Sequence, residues 1–279
     1  MQLTFLGVRG STSAPGPEFV RYGGHTSCVA ITPRGSARPS FVLDAGTGLR
    51  TLTTLLDGQP FRGSIVLSHL HWDHVQGLPF FVAGDRSGAQ VTVYVPAQDG
   101  TSGRDLLAQA MSPPAFPITP DGLQGDWSFE ALDPGVHLIE GLSVTAAEVR
   151  HKGGRTFGYR VSDGHVDIAY VPDHVAVGEI TSGLDSIVRG VDLLLHDAQF
   201  VESERLLADA YGHSTVGDAL NLAERLEVRA LGLVHHGPAR SDDQLDEIGA
   251  DLDVTFPVVV VREGQVVTVE RAGLVVRPK

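Results

Sequence analysis

Residues 69–74 read His69-Leu70-His71-Trp72-Asp73-His74, placing three of the chain's twelve histidines and a carboxylate in one hexapeptide. Imidazole nitrogen and carboxylate oxygen are ligands for zinc and similar divalent ions. Four such donors crowd a single ion. They can divide between two neighbours, His69 and His71 on one and Asp73 and His74 on the other, which makes a two-metal hydrolytic site able to generate hydroxide and clamp a reacting ester. A lone histidine in a loop is ordinarily just solvated, and a His-x-His pair in an exposed strand is common. The flanks set this stretch apart. The apolar run Ser64-Ile65-Val66-Leu67-Ser68 before it reads as a buried strand, and Val75-Gln76-Gly77-Leu78-Pro79 after it turns the chain. The donors therefore lie just past the C-terminal end of a strand, where open α/β sheets carry their ligands.

Further donors recur in the same context. His151 follows the run 142–149, Asp173 follows 166–172, and His235 follows 230–234. Strand patterns are read at 2–8, 27–32, 40–43, 64–68, 91–95, 142–149, 156–161, 166–171, 191–195, 229–235, 256–261 and 265–269. Helix patterns are read near 48–57, 101–111, 201–210, 214–226 and 241–250. The helix at 214–226 is the clearest, with Ser214 or Thr215 as its cap and Val216, Ala219, Leu220, Ala223 and Leu226 at helical spacing. Two sheets covered outside by helices fit this order. Residues 112–126 hold four prolines and are expected to form a loop over the site or at a subunit contact. No repeat and no domain boundary stands out, so residues 1–279 are read as one domain.

The chain's 42% hydrophobic and 20% charged residues suit an ordinary globular protein. A formal net charge of −13 gives no global attraction for nucleic acid, which is therefore not expected as a partner. A small phosphate ester is still compatible, because metal ions dominate the field in a cleft. The single cysteine, Cys28, sits in an apolar run and is read as core packing. The N-terminus alternates like a strand and lacks the pattern of a signal peptide, and no window approaches a membrane span, so a cytoplasmic protein without membrane contact is expected.

The hexapeptide followed by a lone His, an Asp and a lone His resembles the metallo-β-lactamase superfamily over essentially the whole chain. That resemblance implies an αβ/βα four-layer sandwich (α/β, or α+β in some schemes) with the site at one edge of two facing sheets. It implies that His69, His71 and His151 hold one metal, that Asp73, His74 and His235 hold a second, and that Asp173 bridges them. His235 is chosen over His236 because Leu233-Val234-His235 is similar to the family's "LTH". Phe41-Val42-Leu43-Asp44-Ala45-Gly46-Thr47-Gly48 resembles the first family motif, whose Asp supports the site without binding metal. The strand ending His196-Asp197-Ala198-Gln199-Phe200 resembles the "HEATF" strand of ribonuclease Z and related phosphodiesterases, and Gly212-His213-Ser214-Thr215 resembles their "HST" motif, whose histidine faces the scissile phosphate. His151 with Thr156-Phe157-Gly158-Tyr159-Arg160 is similar to their third motif, and the segments 7–12 and 21–27 resemble a group likened to phosphoribosyl cyclic phosphodiesterases. Asp44 and Asp197 are then candidates to orient the histidine ligands and His213.

Two departures matter. Ribonuclease Z proteins carry a long tRNA-gripping arm between the residues matching His151 and Asp173, and this chain has only 21 residues there. At position 197 an Asp replaces the usual Glu, which is longer by one methylene. The expectation is a dinuclear-metal hydrolase cleaving a small or cyclic phosphodiester through a metal-bridging hydroxide, with Asp73 orienting it or taking its proton and His213 donating to the phosphate or leaving oxygen. Two divalent ions are expected as cofactors, zinc first, with manganese and iron as alternatives. The alternatives weighed are a carboxyl-ester, thioester or lactone hydrolase, a tRNA 3′-processing endonuclease (disfavoured by the missing arm), and a non-catalytic metal-binding sensor. A homodimer using the stretch near 111–118 is a further expectation.

Overall fold

The computed structural model describes residues 1–176 and 178–277. The chain lays down β1 (Gln2–Gly7), β2 (Cys28–Thr32), β3 (Phe41–Leu43), β4 (Arg62–Val66), β5 (Gln90–Pro96) and β6 (Asp126–Leu132) as most of one sheet. It then builds a second sheet from β7 (Gly135–Ile139), β8 (Leu142–Val149), β9 (Thr156–Ser162), β10 (Asp167–Val171), β11 (Leu193–Asp197), β12 (Leu231–Val234) and β13 (Val258–Val260), and returns to the first with β14 (Val266–Glu270) and β15 (Gly273–Arg277). The strand orders are β15-β14-β1-β2-β3-β4-β5-β6 and β13-β12-β11-β10-β9-β8-β7. Both sheets are mixed. β3 to β6 and β10 to β13 pair in parallel, and the remaining neighbours pair antiparallel.

Parallel neighbours need crossovers, and the crossovers supply the helices. These are α1 (Leu52–Leu55), α2 (Trp72–Val75), α3 (Gly103–Ala110), α4 (Ser182–Val188), α5 (Arg205–Tyr211), α6 (Val216–Arg225) and α7 (Asp242–Ala250). Alternation along each strand sends one set of side chains between the sheets and the other under the helices. Leu3, Phe5, Val66, Val144, Ile168 and Tyr170 join the central core. Ile65, Val91 and Val93 pack instead with Leu52 and Leu106, and Ala169, Val171 and Leu194 with Leu184, Ile187 and Leu222. The result is four layers, helix on sheet on sheet on helix, as expected. Each fully buried Leu, Ile, Val or Phe contributes about 1.5–3 kcal/mol before entropy is counted. Cys28 is a free, buried core residue.

The expected elements appear with shifted ends, and the region 48–57 forms a 3₁₀ turn (Thr47–Thr51) followed by the single turn α1. The strands β6, β7 and β15 and the helix α4 were not expected. The helix at 214–226 runs as α6. Thr215 caps it, its hydroxyl accepting from the Asp218 amide at 3.2 Å while Asp218 accepts from the Thr215 amide at 2.9 Å. Residues 112–126, expected over the site or at a subunit contact, pack beside Trp72 of the hexapeptide. They close an apolar cavity of about 350 Å³ with Trp72, Phe80, Leu107 and Met111, and the Phe116 ring meets Phe80 edge-on at 6.0 Å. Among the described residues no helix is long and apolar enough to cross a membrane.

Candidate metal centre

All the expected donors converge at one end of the two sheets, because the hexapeptide opens three residues past the end of β4, and His151, Asp173 and His235 lie one or two residues past β8, β10 and β12. His69, His71, His151 and Asp173 have donor atoms within 4.8 Å of one another, and so do Asp73, His74 and His235. Asp173 stands between the two groups. Its Oδ2 lies 3.7 Å from His69 Nε2 and 3.5 Å from His151 Nε2. Its Oδ1 lies 3.1 Å from His74 Nε2 and 3.2 Å from His235 Nε2. One oxygen thus faces each group, the geometry a bridging carboxylate requires.

Neighbouring groups set which imidazole nitrogen is bare. His74 Nδ1–H donates to Asp44 Oδ2 at 2.7 Å, which leaves Nε2 with its lone pair toward the centre. Ser68 Oγ donates to Asp44 Oδ2 at 2.8 Å and can accept from His69 Nδ1–H at 3.0 Å, which leaves His69 Nε2 bare. His151 Nδ1–H donates to the Gly212 carbonyl at 2.7 Å, and its Nε2 comes within 3.2 Å of His71 Nδ1. Asp73 Oδ2 accepts from the Ser11 amide at 2.7 Å and lies 3.1 Å from His235 Nε2.

This arrangement fits cations. His69 Nε2 and Asp173 Oδ1, which face the cluster, are buried without a hydrogen-bond partner. His74 Nε2 and His235 Nε2 lie 3.3 Å apart with Asp173 Oδ1 within 3.2 Å of both, a crowding of nitrogen and carboxylate oxygen around one point that a cation suits. The proton affinities carry the same signature. Burial opposes charge on His74, yet Asp173, Asp73 and Asp44 outweigh it and hold its pKa well above the usual imidazole value. Burial also opposes charge on Asp73 and Asp173, and facing imidazoles drive both below the carboxylate range. Burial dominates for His69, His71 and His151, whose pKa values fall.

His213 stands beside these donors, its ring centroid 4.9 Å from that of His151 and 5.1 Å from that of His235. Its Nδ1–H donates to Asp197 Oδ2 at 2.9 Å. The shorter Asp side chain, at the last position of β11, still reaches His213. Asp197 also accepts from the amides of His174, Gln199 and Ser214 at 3.1, 3.0 and 3.3 Å. Burial lowers the His213 pKa, but Asp197, Asp173 and Asp73 more than compensate and raise it above the ordinary value. His236 turns away, its Nε2–H donating to the Val261 carbonyl at 2.9 Å, and burial pushes its pKa down to about 3.

Several participants were not singled out from the sequence. Ser68 and Tyr170 complete the Asp44 cradle, the latter donating from its hydroxyl to Asp44 Oδ2 at 2.7 Å. A buried tyrosine needs an acceptor, so Tyr170 on its inward register was a signal, though not one that names its partner. Ser11 acts through a backbone amide, which no residue type reveals.

With this geometry in place, comparison with known proteins is informative. The beta-lactamase superfamily domain matches residues 40–236. A ribonuclease Z of Natronomonas pharaonis is 26% identical, the match covering 84% of this chain and 86% of that protein. The crystal structure of the metallo-beta-lactamase fold protein YhfI from Bacillus subtilis superposes with a TM-score of 0.72 at 18% identity, covering 95% of this chain and 98% of that one. A diphosphatase from the PhnP family superposes with a TM-score of 0.68 at 19% identity, covering 96% and 98%. At these identities the two structures show a shared fold.

Proposed function

The chain belongs to the beta-lactamase superfamily, a family of hydrolases, and on that premise we propose that it cleaves a small or cyclic phosphodiester at a pair of divalent cations, zinc first among the candidates. His69, His71 and His151 would hold one cation, Asp73, His74 and His235 the other, and Asp173 both. Bound there, the cations would lower the pKa of water toward neutrality and neutralise charge on phosphate oxygens.

The observation that carries the phosphodiester reading is the His213–Asp197 pair beside the ligand cluster. Asp197 holds the proton on His213 Nδ1 and leaves Nε2 to meet substrate. The neighbouring carboxylates raise its pKa and so favour the protonated ring, the form that donates to a phosphate oxygen or protonates a leaving alkoxide. Asp73, whose Oδ2 is held by the Ser11 amide at 2.7 Å, is assigned to orienting the attacking water. The segment between His151 and Asp173 is mostly taken up by β9, a four-residue turn and β10, and with the net charge of −13 this favours a small substrate over RNA.

The test is a substrate panel on metal-loaded protein, comprising bis(p-nitrophenyl) phosphate, cyclic ribose phosphates, a precursor tRNA, thioesters and lactones. Turnover of the small phosphodiesters supports the reading. Preference for the tRNA makes the chain an RNA-processing enzyme like its ribonuclease Z relative, and activity confined to thioesters or lactones rejects the phosphodiesterase. Because Asp173, His213 and His235 also form a possible ligand set, His213→Ala is decisive for roles. It should keep both ions and lose about 10²–10⁴-fold in turnover, whereas loss of an ion would make His213 a ligand.

A further inference from the structure

The segment Val8–Ser11 contributes no side chain to the cluster, yet it touches two of the three donors of one half, Asp73 and His235. It runs on from β1 as an extra ladder beside the loop after β12. The Gly10 amide donates to the His236 carbonyl at 3.0 Å and the His236 amide to the Val8 carbonyl at 2.9 Å. Arg9 anchors it. Its side chain is fully buried, and its guanidinium donates to the carbonyls of Gly23 at 2.7 Å, Arg240 at 2.6 Å and Gly237 at 3.3 Å. The Asp242 carboxylate lies 3.6 Å away. A buried guanidinium is costly unless its donors are matched, and these carbonyls match most of them while tying the segment to the loop that carries His235.

Two contacts then fall on the centre. Ser11, at φ +62°, turns its amide onto Asp73 Oδ2 at 2.7 Å. Gly10 lies flat against the His235 ring. A Cβ there would stand 2.4 Å from both Nδ1 and Cε1 of His235 and 2.7 Å from Gln199 Oε1. The backbone of Gly10 is not in the left-handed region, so the ring contact, and not torsional freedom, is what requires glycine.

We propose that Val8–Ser11, pinned by Arg9, is the positioning element for the Asp73–His235 half of the centre and sets the affinity of that cation position without affecting the His69–His71–His151 position. This rests on the two-cation reading above. Gly10 sets the plane of the His235 ring by leaving it room, and the Ser11 amide fixes the rotation of the Asp73 carboxylate.

The experiment strips the full chain with chelator, adds Mn²⁺ alone, and reads metal content, binding isotherm and electron paramagnetic resonance. The wild type should bind two ions with the spectrum of a coupled pair. Gly10→Ala should bind the first ion within about threefold of wild-type affinity and the second about 10–100-fold more weakly, with the spectrum of an isolated ion. Ser11→Ile, strained at the positive φ of that position, should copy Gly10→Ala and decides the matter if Gly10→Ala does not fold. Retention of both ions at wild-type affinity in the perturbed variants, or parallel loss of both, overturns the proposal. A wild type that binds fewer than two ions refutes the two-cation reading instead.

Discussion

Replacing Asp44 by Asn tests how much the centre depends on one buried carboxylate. Asp44 is fully buried at φ +58°, a conformation Asn tolerates as well as Asp, so the backbone is not strained. Its oxygens accept four hydrogen bonds, from the Ser68 amide at 2.6 Å, Ser68 Oγ at 2.8 Å, His74 Nδ1 at 2.7 Å and Tyr170 Oη at 2.7 Å. An amide cannot satisfy this set. With its oxygen toward the three side-chain donors, its NH₂ faces the Ser68 N–H, and the flipped orientation is worse. Bonds to a charged acceptor are each worth about 1 kcal/mol more than neutral ones, and one donor facing a donor costs about 1–3 kcal/mol. The variant should therefore lose about 4–6 kcal/mol, a large part of the ~5–15 kcal/mol that holds a typical protein folded. At about 2–4 °C per kcal/mol for a chain somewhat smaller than this one, Tm of metal-stripped protein at neutral pH should fall by about 10 °C or more. Affinity at the His74 position should fall about 10–100-fold as His74 loses its tautomeric anchor. A melt within about 3 °C of wild type would refute the claim that this carboxylate satisfies the cradle.

Three further outcomes follow from the same geometry. Burial holds His236 at about 3, below the ~6.5 of the unfolded chain, so the unfolded state takes the proton first. Stability present above about pH 6.5 is then lost as pH falls toward 3, at about 1.4 kcal/mol per pH unit, and His236→Gln should flatten the acid limb of a urea-midpoint profile by that slope; identical limbs would contradict the neutral buried histidine. Thr215→Ala removes the α6 cap and should cost about 1 kcal/mol in urea unfolding with little change in metal content. Asp197→Asn should leave both ions bound, cut kcat by about 10²–10⁴-fold and move the alkaline limb of the kcat profile to lower pH, because the carboxylate that raises the His213 pKa is gone; an unmoved limb would remove His213 from proton donation.

What the sequence reveals depends on whether the information sits in a side chain. The donors from His69 to His235 announce themselves by residue type after apolar runs, since strand ends are where parallel connections break. The strands β6, β7 and β15 are edge or near-edge elements with largely exposed faces, Val136 and Leu138 being 71% and 80% exposed, so their apolar alternation is diluted and only pairing with a neighbour makes them strands. The helix α4 is seven residues long with Gly183 in its first turn, and its burial of Leu184, Ile187 and Val188 becomes meaningful only against the sheet below. Around the centre, the partners of Asp44 besides His74 are Tyr170 of β10 and Ser68 of the loop after β4, and Asp73 is held by a main-chain amide, so neither leaves a pattern in the residue order.

The most direct test of the account is stepwise reconstitution. Metal-stripped protein is titrated with zinc while bound metal and hydrolysis of bis(p-nitrophenyl) phosphate are followed together. The account predicts that turnover stays near background through the first equivalent, rises with the second and saturates at two ions per chain. Full turnover at one equivalent, or two bound ions without any phosphodiester hydrolysis, would contradict it.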